Sequence, residues 1–167
     1  MNVDLVAVAE ADKAVLANLL QLYQYDFSEY RNYELTPHGT FVYRYLDSYF
    51  TEPARESWFI TVAGELAGFA LTRGDVDDDD SWNVGEFFVV RKYRRKGVAR
   101  AAARQLFGRH PGAWTLTFDH DNLPAVALWP SLAADLATGS VDQVDRYPPV
   151  VAYPGTRLRF EVVGPNS

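Results

Sequence analysis

The chain contains no cysteine and a single methionine. Disulfides, thiolate metal sites and a cysteine nucleophile are thereby excluded, and the absence fits a reducing compartment. No stretch approaches the roughly 18 apolar residues of a membrane span. The first residues, MNVDLVAVAEADK, are acidic and lack the basic-then-apolar order of a signal peptide. A soluble, cytoplasmic protein with no membrane partner is expected. The three histidines, His38, His110 and His120, are scattered without metal-ligand spacing, so no metal is expected. Neither of the common glycine-rich nucleotide motifs, GxxxxGKS/T and GxGxxG, occurs.

What is present is unevenly placed. The net charge is -6, from 16 Lys and Arg against 22 Asp and Glu. Residues 91–109, RKYRRKGVARAAARQLFGR, hold 8 of the basic residues and no acidic one. Like charges packed this closely repel unless something negative offsets them. A nucleic-acid footprint makes a whole domain basic, with a pI above about 9. The sequence pI here is about 5.0, so no nucleic-acid partner is expected. A compact polyanion such as a phosphorylated cofactor fits the stretch; a solvated helix face is the plain alternative. The 167 residues, 48% apolar and 23% charged, suit one domain over 1–167 with a substantial core.

Periodicity supplies the elements. Weak alternation over 2–9 predicts a first strand. Val15, Leu16, Leu19, Leu20, Tyr23 and Phe27 recur at helical spacing and predict a helix over 10–30. TPHG at 36–39 is a turn. Phe41, Tyr45, Leu46 and Tyr49 predict a second helix over 41–50, ended by Pro53. Two β-rich runs, 58–63 and 66–72, flank Gly64-Glu65 as a hairpin. DVDDDDS at 75–81 is a solvated loop. A strand over 82–90, an alanine-rich helix over 98–107, a strand over 114–118, a helix over 123–136 interrupted by Pro130, and strands over 141–147 and 157–163 complete the chain. Helices between strands require crossovers. The fold class is therefore α/β, with a mixed (α+β) sheet of about seven strands and about four helices.

The densest chemistry lies at Phe87–Ala103, FFVVRKYRRKGVARAAA. An apolar strand runs into a basic turn, a glycine and a helix. The first turn of a helix has amide groups without internal partners and the positive end of the dipole, and phosphate oxygens satisfy both. Gly97 lets the backbone approach an anion closely, and Arg94, Arg95, Lys96 and Arg100 add charge around it. The pattern R-x-x-G-x-A at Arg94, Gly97 and Ala99, with Val89 and Tyr93 before it, resembles the acetyl-CoA pyrophosphate loop of the GCN5-related N-acetyltransferase (GNAT) superfamily. Asn122-Leu-Pro-Ala125-Val-Ala-Leu128-Trp129, after the strand WTLTF, resembles that family's N-x-x-A-x-x-F-Y segment. The order of elements is also similar along most of the chain, and uncharacterised bacterial acetyltransferases resemble it most.

The resemblance implies an acyl-CoA N-acyltransferase fold whose fourth and fifth strands splay, with pantetheine between them. Backbone groups near Val89 and Val90 would bind its amides. The amides of Arg95, Lys96, Gly97, Val98, Ala99 and Arg100 would hold the pyrophosphate, and Asn122 would contact the cofactor arm. Acetyl-CoA is then the co-substrate, and transfer to an amine needs a base to remove a proton. Glu86, on the strand that would hold the thioester, is the candidate base, with Asp119, His120 and Asp121 in reserve. Where the family carries a Tyr as acid, this chain has Trp129, whose indole N–H is a poor donor to a thiolate. Water, Tyr147 or Tyr153 then protonates the thiolate, or it leaves unassisted. Pro130 would bend that helix and open the pocket.

On the acceptor side, LYQYDFSEYRNYELTPHGTFVYRYLDSYF is rich in Tyr, Phe and carboxylates. Such groups suit a cationic amine, and helical core packing explains the same aromatics. The expected function is N-acetyl transfer from acetyl-CoA to a primary amine of a small molecule or peptide, by direct attack in a ternary complex. The alternative is a non-catalytic acyl-CoA-binding sensor or partner module that kept the cofactor site, favoured by the Trp at the acid position. A homodimer through an exposed last strand is a further possibility.

Overall fold

The computed structural model describes residues 1–75 and 79–164. The expected loop at 75–81 lies partly outside them. The strands are β1 (Val3–Ala7), β2 (Arg55–Val62), β3 (Glu65–Gly74), β4 (Trp82–Val89), β5 (Gly112–Asp119), β6 (Asp142–Arg146) and β7 (Gly155–Val162). The α-helices are α1 (Lys13–Phe27), α2 (Ser48–Thr51), α3 (Val98–Gly108) and α4 (Leu123–Leu136). They build one seven-stranded sheet in the order β1-β2-β3-β4-β5-β7-β6. Every neighbouring pair is antiparallel except β4 and β5, which run parallel. No helix among the described residues is long and apolar enough to cross a membrane.

Apolar stripes decide which face each helix covers. Leu16, Leu19, Leu20 and Tyr23 line one side of α1 and bury against Phe59, Phe69, Leu71 and Phe88 of the sheet. Val98, Ala102, Ala103, Leu106 and Phe107 do the same for α3 on the opposite face, with Trp129, Leu132 and Ala133 of α4. This spacing of three and four residues is the helical period. The sheet is thus covered on both sides. Strand residues alternate between the two cores, so Phe88 faces α1 while Val89 faces α3 and α4.

Two local expectations differ from the structure. The helix expected over 41–50 is reduced to the single turn α2. Gln21 and Gln24 of α1 take the backbone that helix would need. Gln21 Nε2 donates to the Phe41 carbonyl at 2.8 Å and its Oε1 accepts from the Phe41 amide at 2.8 Å, while Gln24 Nε2 donates to the Val42 carbonyl at 2.7 Å. Side chains that bond backbone in this way compete with helix formation. Conversely, α4 runs through Pro130 without a break. Proline removes one helical bond, but Leu132 and Ala133 beyond it are buried and hold the second half in line.

One glycine fixes how closely two strands approach. A Cβ on Gly68 of β3 would lie 2.0 Å from the Phe88 carbonyl oxygen of β4. Backbone cannot give way there as a flexible side chain could. Gly68→Ala should therefore cost about 1–3 kcal/mol or more in urea unfolding, as overpacking does. Gly108→Ala, with nothing within 4 Å of its Cβ, should change stability by less than about 1 kcal/mol. Equal effects at the two sites would contradict this packing.

Candidate functional site: a wedge between two parallel strands

The pairing of β4 with β5 is short. Trp82, Asn83 and Val84 pair with Trp114, Thr115 and Leu116, and pairing then ends although both strands continue. The Asn83 side chain stitches the closed end, donating to the Thr115 carbonyl at 3.2 Å and hydroxyl at 3.0 Å. A bulge coincides with the opening. Leu71 of β3 pairs with Glu86 but Thr72 pairs with Val84, which leaves Gly85 as the extra residue. A bulge bends its strand and increases the local twist.

The open edge exposes defined backbone groups. The Val90 amide donates to the Ala67 carbonyl at 2.8 Å, toward β3. By strand alternation, the amides of Phe87 and Val89 point the other way, into the wedge. The Val89 carbonyl accepts from Arg94 Nε at 2.7 Å, and the Val90 carbonyl from the Tyr93 amide at 3.0 Å. Val90 therefore has both backbone groups engaged, and Phe87, which sequence reasoning passed over, presents its backbone instead.

Beyond β4 the chain makes a short 3-10 turn, Arg91–Tyr93, and enters α3. Arg95 has φ 60° and Gly97 φ 79°, both left-handed. A Cβ on Gly97 would meet nothing within 4 Å, so the start of α3 faces open space with main chain alone. Val98 is buried and anchors the helix start in the core. The arginines divide three ways. Arg94 and Arg91 both grip Asp26 of α1, at 2.7 and 2.9 Å. Burial works against that carboxyl, yet the two arginines hold it below its ordinary pKa. Arg100 pairs with Asp135 at 2.7 Å and bonds Ser131, tying α3 to α4. Arg95 and Lys96 are exposed.

A cavity of about 770 Å³ lies at this corner, between Tyr30, Arg95, Arg100, Asp121, Leu123 and Leu128. Its size suits a cofactor-scale ligand. Asn122 caps α4, its side chain accepting from the Ala125 amide at 3.4 Å. Trp129 is buried, edge-on to Phe87 with ring centres 5.1 Å apart, and forms a wall of the core on this face. Among the described residues no group of three or more His, Asp or Glu is placed to hold a metal.

Glu86 projects from the other face. Its Oε2 accepts a hydrogen bond from the Tyr23 hydroxyl of α1. Tyr33, Tyr43 and Tyr49 lie within its electrostatic reach. Burial pushes the Glu86 carboxyl up to about 6, against the opposing effects of the Tyr23 bond and the charges of Arg31 and Arg73. Nearby, Asp119 at the end of β5 is buried and forms a two-pronged ion pair with Arg31, both contacts at 2.7 Å. Arg31 stacks on Tyr153 at 4.4 Å, and the Tyr153 oxygen accepts from the Asn32 amide at 2.9 Å. Of the reserve residues, His120 turns to Thr156 at 2.8 Å and Asp121 lines the cavity. Tyr147 is exposed beside His120. Tyr23 and Arg31 were hidden from sequence reading, one as an ordinary core position of an apolar stripe, the other by a partner 88 residues away.

Comparison with known proteins agrees with this geometry. Residues 17–133 match the model of the acetyltransferase (GNAT) family. No curated protein matches the chain. Among solved structures, an acetyltransferase from Thermus thermophilus is similar with a TM-score of 0.71 at 15% identity, covering 97% of this chain and 98% of that one. The ribosomal-protein-S18-alanine N-acetyltransferase from Escherichia coli has a TM-score of 0.62 at 16% identity, covering 99% of each chain. A spermidine N-acetyltransferase SpeG chimera from Vibrio cholerae and hSSAT has a TM-score of 0.61 at 14% identity, covering 96% of each. At these identities the likeness carries the fold, and the family model carries the membership: the chain belongs to the acetyltransferase (GNAT) family.

Proposed function

We propose that this acetyltransferase, acting as one domain, moves the acetyl group of acetyl-CoA directly onto a primary amine of a small molecule or peptide, with both bound at once. The observation that carries the reading is Glu86. It sits beside the β4 bulge where the wedge opens, with one carboxylate oxygen bonded to Tyr23 and no protein donor to the other among the described residues.

The cofactor residues fit a diphosphate on a backbone arm. A Cβ on Gly97 would meet only open space, the first amides of α3 have no partner within the helix, and Arg95 and Lys96 are exposed beside them, so the amides of 95–100 would hold the diphosphate. The amides of Phe87 and Val89 would meet the pantetheine arm and thioester carbonyl, where a fixed donor stabilises developing negative charge. Acetyl-CoA supplies an acetyl thioester with a thiolate leaving group. Arg94 and Arg100 act through the frame, one holding the strand end to α1 and the other holding α3 to α4. The proteins named above act on a protein alanine amine and on spermidine, so amine acceptors of different size occur on this fold.

Glu86 takes the acceptor's proton. A carboxylate poised near 6 is ionised at neutral pH and is a stronger base than an ordinary one. The tyrosines around it offer rings and hydroxyls to an ammonium. For the leaving thiolate we favour Tyr153 over exposed Tyr147, because its ring packs on Arg31, the partner of Asp119 at the end of β5. Its oxygen accepts from Asn32, which leaves its own proton to donate.

Two variants test the reading. Gly97→Asp would place a carboxylate where the diphosphate sits and strain a left-handed residue. It should abolish the rise in Tm that acetyl-CoA gives the parent protein; a retained rise would reject the placement. Glu86→Gln should lower turnover with an amine panel by about 10²-fold or more, read as free thiol, and leave CoA affinity intact. It should also raise stability at pH 8 by about 1–2 kcal/mol. The sign follows from the raised pKa: the folded state disfavours the ionised form, so the penalty is full above about 6 and gone below the ordinary value of 4.5. Parent and variant should therefore converge in Tm near pH 4. Undiminished turnover, or a variant less stable at pH 8, would contradict the role.

A further inference from the structure

The Glu86 carboxylate is held by a core tyrosine whose ring is packed among three others. Tyr23 is 8% exposed, and its ring is locked by Phe27 at 4.6 Å, Phe69 at 5.6 Å and Phe88 at 5.8 Å. A tyrosine in such a setting needs a partner for its hydroxyl. The partner here is the Oε2 atom of Glu86, on a different element 63 residues away. The ring cannot turn away without breaking the aromatic cluster, so the carboxylate is held wherever the phenol points.

We propose that Tyr23 is a positioning residue for acetyl transfer. Its rigid phenol fixes the Glu86 carboxylate through Oε2 and reserves Oε1 for the acceptor's proton. The proposal rests on Glu86 being the base. Packing alone would be served equally by phenylalanine, which fits the same aromatic cluster; the hydroxyl is the part that packing does not require.

The groups facing Glu86 are few. Tyr23 comes from α1, Arg31 and Tyr33 from the segment after it, Tyr43 from the segment before α2, Tyr49 from α2, and Arg73 from β3. Tyr43 and Tyr49 are engaged with each other, and Tyr49 also with Arg55. Among them, Tyr23 is the one that hydrogen-bonds the Glu86 carboxylate. A hydrogen bond to an ionised carboxylate favours the ionised form. Tyr23 therefore does two things at once: it aims the base and keeps it charged in an apolar setting.

The test needs no known acceptor at its first step. Carbon-detected NMR of the free full-length protein follows each glutamate carboxyl with pH, and Glu86→Gln identifies the Glu86 signal. In the parent protein that signal should titrate near 6. In Tyr23→Phe it should titrate about one pH unit or more higher. The acid limb of kcat/KM, with an amine from the panel, should move by the same interval, and the rise in Tm given by acetyl-CoA should be unchanged. Should Tyr23→Phe fail to fold, 3-fluorotyrosine at position 23 keeps the packing and is a stronger donor; it should move the Glu86 titration downward. A titration unmoved by either change overturns the positioning role. A titration that moves while Glu86→Gln retains full turnover overturns the base itself and leaves the hydrogen bond standing.

Discussion

Strands β4 and β5 stay bonded for three residues and then part inside a continuous sheet. Interior strands normally satisfy all their backbone groups, because an unpaired buried amide costs as much as a lost hydrogen bond. Here the amides of Phe87 and Val89 turn toward a neighbour that has moved away. The bulge at Gly85 makes the parting possible. The remaining pairings keep it open: β4 stays bonded to β3, and β5 stays bonded to β7 down to Asp119 and Gly155. The wedge is thus a fixed property of the sheet, a set of preorganised donors that the arm of the proposed cofactor would meet.

The same two strands separate the chemistry into two faces. On one, Phe87 and Trp129 close the wedge against α3 and α4, and the basic corner leads to the helix start at Gly97. On the other, Glu86 meets the tyrosines of α1 and the segment after it. A cofactor entering from the first face and an amine entering from the second would meet at β4. The ion pair of Arg31 with Asp119 crosses between the segment after α1 and the end of β5, so it ties the face that carries Glu86 to the far side of the wedge.

Much of this was legible in the sequence, for definable reasons. Strands and long helices announce themselves by period, and the seven strands follow it closely. The basic turn with Gly97 before an alanine helix is a local signal, because helix-start amides need only backbone and small side chains. What could not be read depends on distant partners. Nothing near Phe41 says that Gln21 and Gln24 will take its backbone. Nothing in the arginine run says that Arg91 and Arg94 will be held by Asp26 while Arg95 and Lys96 stay outside. Tyr23 read as one more apolar stripe position until its hydroxyl met Glu86.

The claim on which all of this depends is that the open edge of β4 and the start of α3 are a ligand surface. Amide hydrogen exchange, compared with and without CoA, tests it residue by residue. The account predicts slower exchange at Phe87, at Val89 and across 95–100, where bound ligand would supply the missing acceptors. Unchanged exchange at those amides, with protection instead at the smaller hollow of about 430 Å³ among Asp142, Gln143 and Arg159 on the β6–β7 edge, would contradict it.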